Sequence, residues 1–235
     1  MNPFDQRLIL AVNQYAGRSL AFDTFVVQLS TTDLLKGGVV LGVFWWLWFS
    51  AGPDVRAVRV RLLATLAAGA LAAVAGRVLA DTLPFRTRPL HEAALHFRLP
   101  LTEGHDLLRN FSSFPSDHAM LFAALSVGVF FVSKRAGIFL MVWSFLVVLM
   151  PRLYMGLHYP SDLLGGVLFG AAIAFVLQRR AVRERLAAPC LTWLDRQPAS
   201  FYTSMYLATL QVGTLFADVR GILVLVAQAV HRRSI

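Results

Sequence analysis

The sequence predicts an all-α, polytopic membrane bundle of about six transmembrane helices, with an interfacial or tilted N-terminal helix and a helical C-terminal tail. Three observations predict it. Of 235 residues, 57% are hydrophobic and 15% charged, and the mean hydropathy is +0.62; soluble domains carry roughly 25% charged residues. Apolar runs approaching the ~20 residues that a bilayer span needs recur along the chain. Basic residues collect at alternate ends of those runs, as the positive-inside rule requires.

Leu8 to Leu29 is a marginal first segment, interrupted by Asn13, Gln14, Arg18 and Asp23. It suits an interfacial helix or a tilted span. Leu34 to Phe49 is strongly apolar and ends in Trp45, Trp46 and Trp48, which read as an aromatic belt. Leu62 to Leu83 is rich in Ala and Gly, so neighbouring helices can approach closely. A polar loop from Pro84 to Pro115 follows, then apolar segments Ala119 to Val132, Ile138 to Met150 and Leu163 to Leu177. The organisation is therefore 1–33 as an N-terminal helix, 34–180 as the membrane core and 181–235 as a tail. Phe201 to Phe216 is punctuated by Thr203, Ser204, Thr209, Gln211 and Thr214, and Asp218-Val219-Arg220-Gly221 precedes Ile222 to Val230. Two cytoplasmic helices lying on the membrane fit that pattern better than a seventh span.

Arg56, Arg59 and Arg61, then Lys134 and Arg135, then Arg179, Arg180, Arg183 and Arg185 all fall on one side if each segment crosses once. That side is cytoplasmic, so loops 84–115 and 151–162 face outward, in the periplasm or outside the cell. The net charge of +9 does not indicate nucleic acid, because the basic residues sit at span ends rather than on one polar face. Cys190 is the single cysteine, which excludes an intrachain disulfide and a cysteine metal cluster. The N-terminus lacks the basic head and apolar run of a cleavable signal peptide.

Chemistry concentrates at the outward edges. Ser116 of Pro115-Ser116-Asp117-His118 reads as a helix N-cap, at an end whose free amides and dipole favour an anion. His118 follows in the first turn. His158 and Asp162 are four residues apart, a spacing at which a carboxylate can fix the tautomer of an imidazole and leave its other nitrogen free to attack. Arg88 and Arg152 border the same edge, and planar guanidinium groups match paired phosphate oxygens. Taken singly, each arginine reads as a snorkelling anchor; together they point to phosphoryl transfer. His91, Glu92, His96, Glu103, His105 and Asp106 match no compact metal-ligand spacing and read as a solvated loop. His231 has no visible partner.

These runs resemble the three-part signature of the type 2 phosphatidic acid phosphatase superfamily: Lys-x6-Arg-Pro, Pro-Ser-Gly-His and Ser-Arg-x5-His-x3-Asp. Here the second is Pro115-Ser116-Asp117-His118, and the third is Pro151-Arg152 followed by His158 and Asp162. The first retains Arg88-Pro89, with Asp81 at the lysine position. The resemblance covers roughly residues 57–180. It implies a metal-independent enzyme without cofactor, with His158 as nucleophile, Asp162 orienting it and His118 as general acid and base. It also implies phosphate contacts from Arg88, Arg152, Ser116 and the Asp117 amide. Arg77, one turn before Asp81, is the preferred substitute for the lysine, with Arg86 second. The Pro-Ser-Asp-His form resembles bacitracin-resistance-type undecaprenyl pyrophosphate phosphatases. The implied partners are the bilayer and a lipid phosphate or pyrophosphate. Alternatives are a phosphatase of phosphatidate, phosphatidylglycerophosphate or lipid A phosphate, or a non-catalytic lipid-phosphate binder or transporter.

Overall fold

The computed structural model describes residues 2–50, 52–101 and 108–215, which form an all-α bundle. Its N-terminus is two helices, α1 (Pro3–Asn13) and α2 (Leu20–Thr31). The polar residues that interrupt the expected first segment have tertiary partners here. The Asn13 amide donates to the Arg98 carbonyl at 2.7 Å, and Asp23 accepts from the Leu101 amide at 3.0 Å. Both bonds fasten α1 and α2 to the loop after Pro84. That loop is not simply solvated, since Leu90 and Leu95 within it are buried.

After α2 the chain bends by 61° and resumes as a π-helical turn, Leu34–Gly38, continuous with α3 (Val39–Ser50). Three further stretches are each long and apolar enough to cross a bilayer: α4 (Val55–Thr82), Lys134–Tyr154 and α8 (Pro160–Leu177). The middle one comprises α6 (Lys134–Trp143), a π-helical stretch Ser144–Leu149 and α7 (Met150–Tyr154). Pro151 has no N–H to donate within it, and the wide turns lie immediately before that residue. The bent α2–α3 pair makes a fourth candidate span.

The shorter apolar helix α5 (Asp117–Phe130) lies between α4 and α8, with Met120, Leu121 and Phe122 fully or almost fully buried. Close approach sets this packing. A Cβ on Gly170 would lie 2.1 Å from the Met120 carbonyl oxygen, so only glycine lets α8 come so near α5.

The described part of the tail is helical. Helix α9 (Arg180–Arg196) packs on α4, and α10 (Pro198–Gly213) runs antiparallel along α3. Trp48 Nε1 donates to the Tyr202 hydroxyl at 3.3 Å, Trp45 Nε1 lies 3.4 Å from Thr209 Oγ1, and Gly37 meets Gly213. Polar side chains that weakened α10 as an apolar segment thus join it to a neighbouring helix. The expected tryptophan belt is likewise divided: Trp46 is exposed, whereas Trp45 and Trp48 turn toward α10. Residues 216–235, including Asp218–Gly221, Ile222–Val230 and His231, lie outside the described residues, as do Glu103, His105 and Asp106.

Candidate active site

His158 sits on the short connection between α7 and α8. Gly156 turns that connection with φ +67°, a left-handed conformation that costs glycine little. The Gly156 carbonyl accepts from the Leu90 amide at 3.0 Å, which docks the preceding outer loop. Pro160 then starts α8, its fixed φ suiting the first helical turn. The His158 ring is only 3% exposed, and its Nδ1 lies 2.8 Å from the Ser113 carbonyl oxygen. A carbonyl can only accept, so Nδ1 carries the proton and Nε2 presents a lone pair. Burial, together with the Arg88 and Arg152 guanidinium groups, holds the His158 pKa well below the ordinary imidazole value. The ring is therefore neutral at physiological pH.

Arg88 stands beside that lone pair, with Nη1 at 3.5 Å from Nε2. Its other donors join the outer loops: Nη1 to the Leu157 carbonyl at 2.6 Å, Nε to that of Phe111 at 3.1 Å and Nη2 to that of Ser112 at 3.1 Å. Arg88 thus fixes the site's frame while bringing its charge to the nucleophile. Arg77, Arg88, Asp117 and His158 share the lining of a cavity of about 20 Å³. That holds a water, not a phosphoryl group. Arg77 is the accessible part of this wall. It is half-exposed, its Nε pairs with Asp81 at 3.0 Å, and its guanidinium lies 4.6 Å from the Phe111 ring centre.

The expected orientation of His158 by Asp162 is not a direct hydrogen bond. The Asp162 carboxylate lies 3.9 Å from Nδ1, and the Ser113 carbonyl occupies the hydrogen-bonding position. Asp162 instead caps α8 by accepting from the Tyr159 amide at 2.7 Å, and it pairs with Arg86. Arg86 bridges onward to Asp5 of α1 at 2.6 Å and lies over the Tyr159 ring. Bound between two buried carboxylates, Arg86 is not a free phosphate ligand. That corrects the expectation for it, and of the two substitutes for the lysine only Arg77 faces the cavity.

Asp5 also accepts from Ser161 N at 2.9 Å and Ser161 Oγ at 2.6 Å. Burial alone would raise its pKa; the Ser161 and Arg86 donors outweigh that effect and leave it lowered, so the carboxylate stays charged. Sequence reasoning missed Asp5 because its partners lie far along the chain.

Ser116 caps α5 as expected, accepting from the Ala119 amide at 3.4 Å, and is fully buried. Asp117 has a side-chain partner that the motif did not indicate. Its carboxylate accepts from the His118 amide at 2.8 Å and lies 2.8 Å from His118 Nδ1. It therefore occupies the His118 amide, one donor at this helix end, and brings a negative charge there; the Asp117 amide, the expected phosphate contact, is not engaged by it. The close carboxylate–imidazole pair falls at 117 and 118, leaving His118 Nε2 for chemistry. His118 lines a second cavity of about 150 Å³ with Asp33, Lys36, Phe122 and the end of α10. Arg152 is buried, and its Nε has no partner among the described residues. It lies within electrostatic range of both His118 and His158.

A family model described as the PAP2 superfamily matches residues 60–185, more than half of the chain. The chain belongs to the PAP2 superfamily. The matched PAP2 region contains His118, His158, Asp162 and the arginines at 77, 86, 88 and 152, but neither Asp5 nor Lys36. Two curated relatives are similar to it. One is "Bacitracin transport permease protein BcrC" of Bacillus licheniformis, 38% identical over 63 residues, which are 27% of this chain and 30% of that protein. The other is "Undecaprenyl-diphosphatase BcrC" of Bacillus subtilis (strain 168), 30% identical over 95 residues, 40% of this chain and 45% of that protein. The similarity thus spans less than half the length of either relative. No solved structure matches the chain.

Proposed function

We propose that this PAP2 protein is an integral membrane lipid phosphatase that hydrolyses a polyprenyl pyrophosphate, undecaprenyl pyrophosphate being the leading substrate, to the monophosphate. The observation that carries the reading is the neutral, oriented His158, whose Nε2 lone pair faces the Arg88 cation inside a nearly closed pocket. The similarity to an undecaprenyl-diphosphatase supports the substrate class.

His158 Nε2 attacks the terminal phosphorus. A P–N bond forms as the P–O bond to the lipid phosphate breaks, and the electron pair leaves with that oxygen. His118, its Nδ1 held by Asp117, donates a proton to the departing oxygen from Nε2; the bound phosphate favours the imidazolium that can do so. Water then attacks the phosphohistidine, His118 takes its proton, and the P–N pair returns to His158. Arg88, Arg152 and Arg77 balance charge on the equatorial oxygens, where positioning and electrostatics supply most of the acceleration. The opening of the small cavity to phosphate size falls to Arg77, the exposed residue of its wall. The basic clusters at the opposite span ends support a pocket on the outer face of the cytoplasmic membrane.

Purified protein should release phosphate from undecaprenyl pyrophosphate in excess EDTA. His158→Ala should abolish turnover, and rapid quenching of the native enzyme should trap an acid-labile phosphohistidine. Complete dependence on added divalent metal, or substantial turnover by His158→Ala, would overturn the mechanism. A panel including phosphatidate and phosphatidylglycerophosphate tests the substrate: preference for either over the pyrophosphate rejects this assignment.

A further inference from the structure

Lys36 lies outside the PAP2 match, on the π-helical turn where the first candidate span breaks. Irregular backbone at membrane depth persists where protein covers it or where it lines a cavity. Here both conditions hold. The Leu35 carbonyl accepts from Trp143 Nε1 at 2.8 Å, and Gly37 fits against α10 so tightly that a Cβ would lie 2.1 Å from the Gly213 carbonyl oxygen. The turn is thereby fixed from two sides, and its lysine is directed into the cavity that His118 also lines.

The Lys36 side chain is only 10% exposed. Its one ion-pair partner among the described residues is Asp33, at 3.0 Å and half-exposed. Arg152, with its buried Nε unpartnered, adds a second cation within electrostatic range of Lys36. A buried ammonium group in a membrane protein is expensive to maintain and usually marks a binding function. Arg152 is shared with the Asp117 carboxylate, which the His118 ring also engages, so this cavity offers Lys36 as the cation for an anion. Its volume of about 150 Å³ contrasts with the water-sized space at His158.

The two cavities flank the Asp117–His118 pair, which contributes Asp117 to one and His118 to the other. A pyrophosphate also has two halves, separated by the bridging oxygen that His118 would protonate. We propose that Lys36 binds the lipid-proximal phosphate of a pyrophosphate substrate, the leaving group, and so makes the site selective for lipid pyrophosphates over lipid phosphate monoesters. This rests on the reading of His158 and His118 given above. As the P–O bond breaks, the bridging oxygen takes the electron pair and then the His118 proton, and the lipid monophosphate departs with the negative charge of its own phosphate. Lys36 meets that charge directly. A monoester releases an alcohol instead, which places no second phosphate beside the lysine.

The test compares one polyprenyl chain carried as pyrophosphate and as monophosphate, using the full chain in detergent. Lys36→Met should lower kcat/KM for the pyrophosphate by about 10- to 100-fold, the range for a lost charge-assisted contact. Its monophosphate turnover should stay within about threefold, and Lys36→Arg should recover most of the pyrophosphate activity. Asp33→Asn provides a second measurement should Lys36→Met fail to fold. It frees the lysine from its carboxylate, so inhibition by inorganic pyrophosphate should tighten while inhibition by orthophosphate stays constant. Equal losses on both substrates, no loss on either, or an unchanged pyrophosphate inhibition in Asp33→Asn would overturn the assignment. His158→Ala separates the two readings. If it is inactive on both substrates while Lys36→Met shows no selectivity, only the role of Lys36 falls; if His158→Ala remains active, the catalytic reading falls instead.

Discussion

Replacing Arg86 by methionine would leave Asp5 and Asp162, both fully buried, without the cation that joins them. The side chain of Arg86 is 27% exposed, so water screens the bridge only in part. Removing one partner of a buried ion pair costs about 3–5 kcal/mol, because the surviving charge stays desolvated. At roughly 2–4 °C per kcal/mol for a chain of this size, thermal unfolding in detergent should fall by about 6–20 °C. The loss should also reach the active site, since Asp162 holds the Tyr159 amide next to His158. We therefore expect kcat to fall while the inhibition constant for orthophosphate hardly moves. Asp5→Asn combined with Arg86→Met removes one of the stranded charges and should recover part of the stability. A variant within about 2 °C of the native protein with unchanged kcat would refute the bridge. A large rise in the orthophosphate inhibition constant without loss of stability would restore Arg86 as a phosphate ligand.

Other perturbations separate further parts of the structure. Asp117→Asn should lower kcat, through poorer orientation of His118, yet tighten orthophosphate inhibition because a negative charge leaves the pocket; weaker phosphate binding would return Asp117 to the ligand set. The depressed pKa of His158 gives a definite sign for stability against pH. Below about pH 6.5 the unfolded chain takes a proton that the native ring refuses, so its contribution is complete above that pH and declines as pH falls, by up to ~1.4 kcal/mol per unit. Melting curves of native protein and His158→Gln should converge between about pH 7.5 and 5.5, and a constant difference would contradict the assigned neutral ring. Gly170→Ala should destabilise by about 1–3 kcal/mol through its clash with Met120. Gly42→Ala, where an added Cβ meets nothing within 4 Å, should cost nothing measurable by the same unfolding assay.

Local chemistry was legible in the linear order of residues. Apolar runs bounded by basic clusters define the principal helices, because burial in lipid and charge at the interfaces are properties of short segments. Ser116 as a cap and Pro160 as a helix start follow from backbone chemistry that needs no distant partner. The histidines and arginines of the pocket were recognisable from their types and spacing. Partnerships across the fold were not. Four-residue spacing suggested that Asp162 should meet His158, but the Ser113 carbonyl takes that hydrogen bond and Arg86 draws the carboxylate toward Asp5. The pairing of the Asp117 carboxylate with the adjacent histidine was not legible either.

Thr209 counted against α10 as an apolar segment, yet it answers the Trp45 indole of α3, as the Tyr202 hydroxyl answers that of Trp48. Asp5 and Lys36 carried no motif because their significance depends on residues more than 80 positions away. Sequence by itself determined where the principal helices form, since hydropathy and capping act over a few residues. Only the tertiary structure decided which charges meet, because a buried ion must take its partner from whatever segment the packing brings within reach.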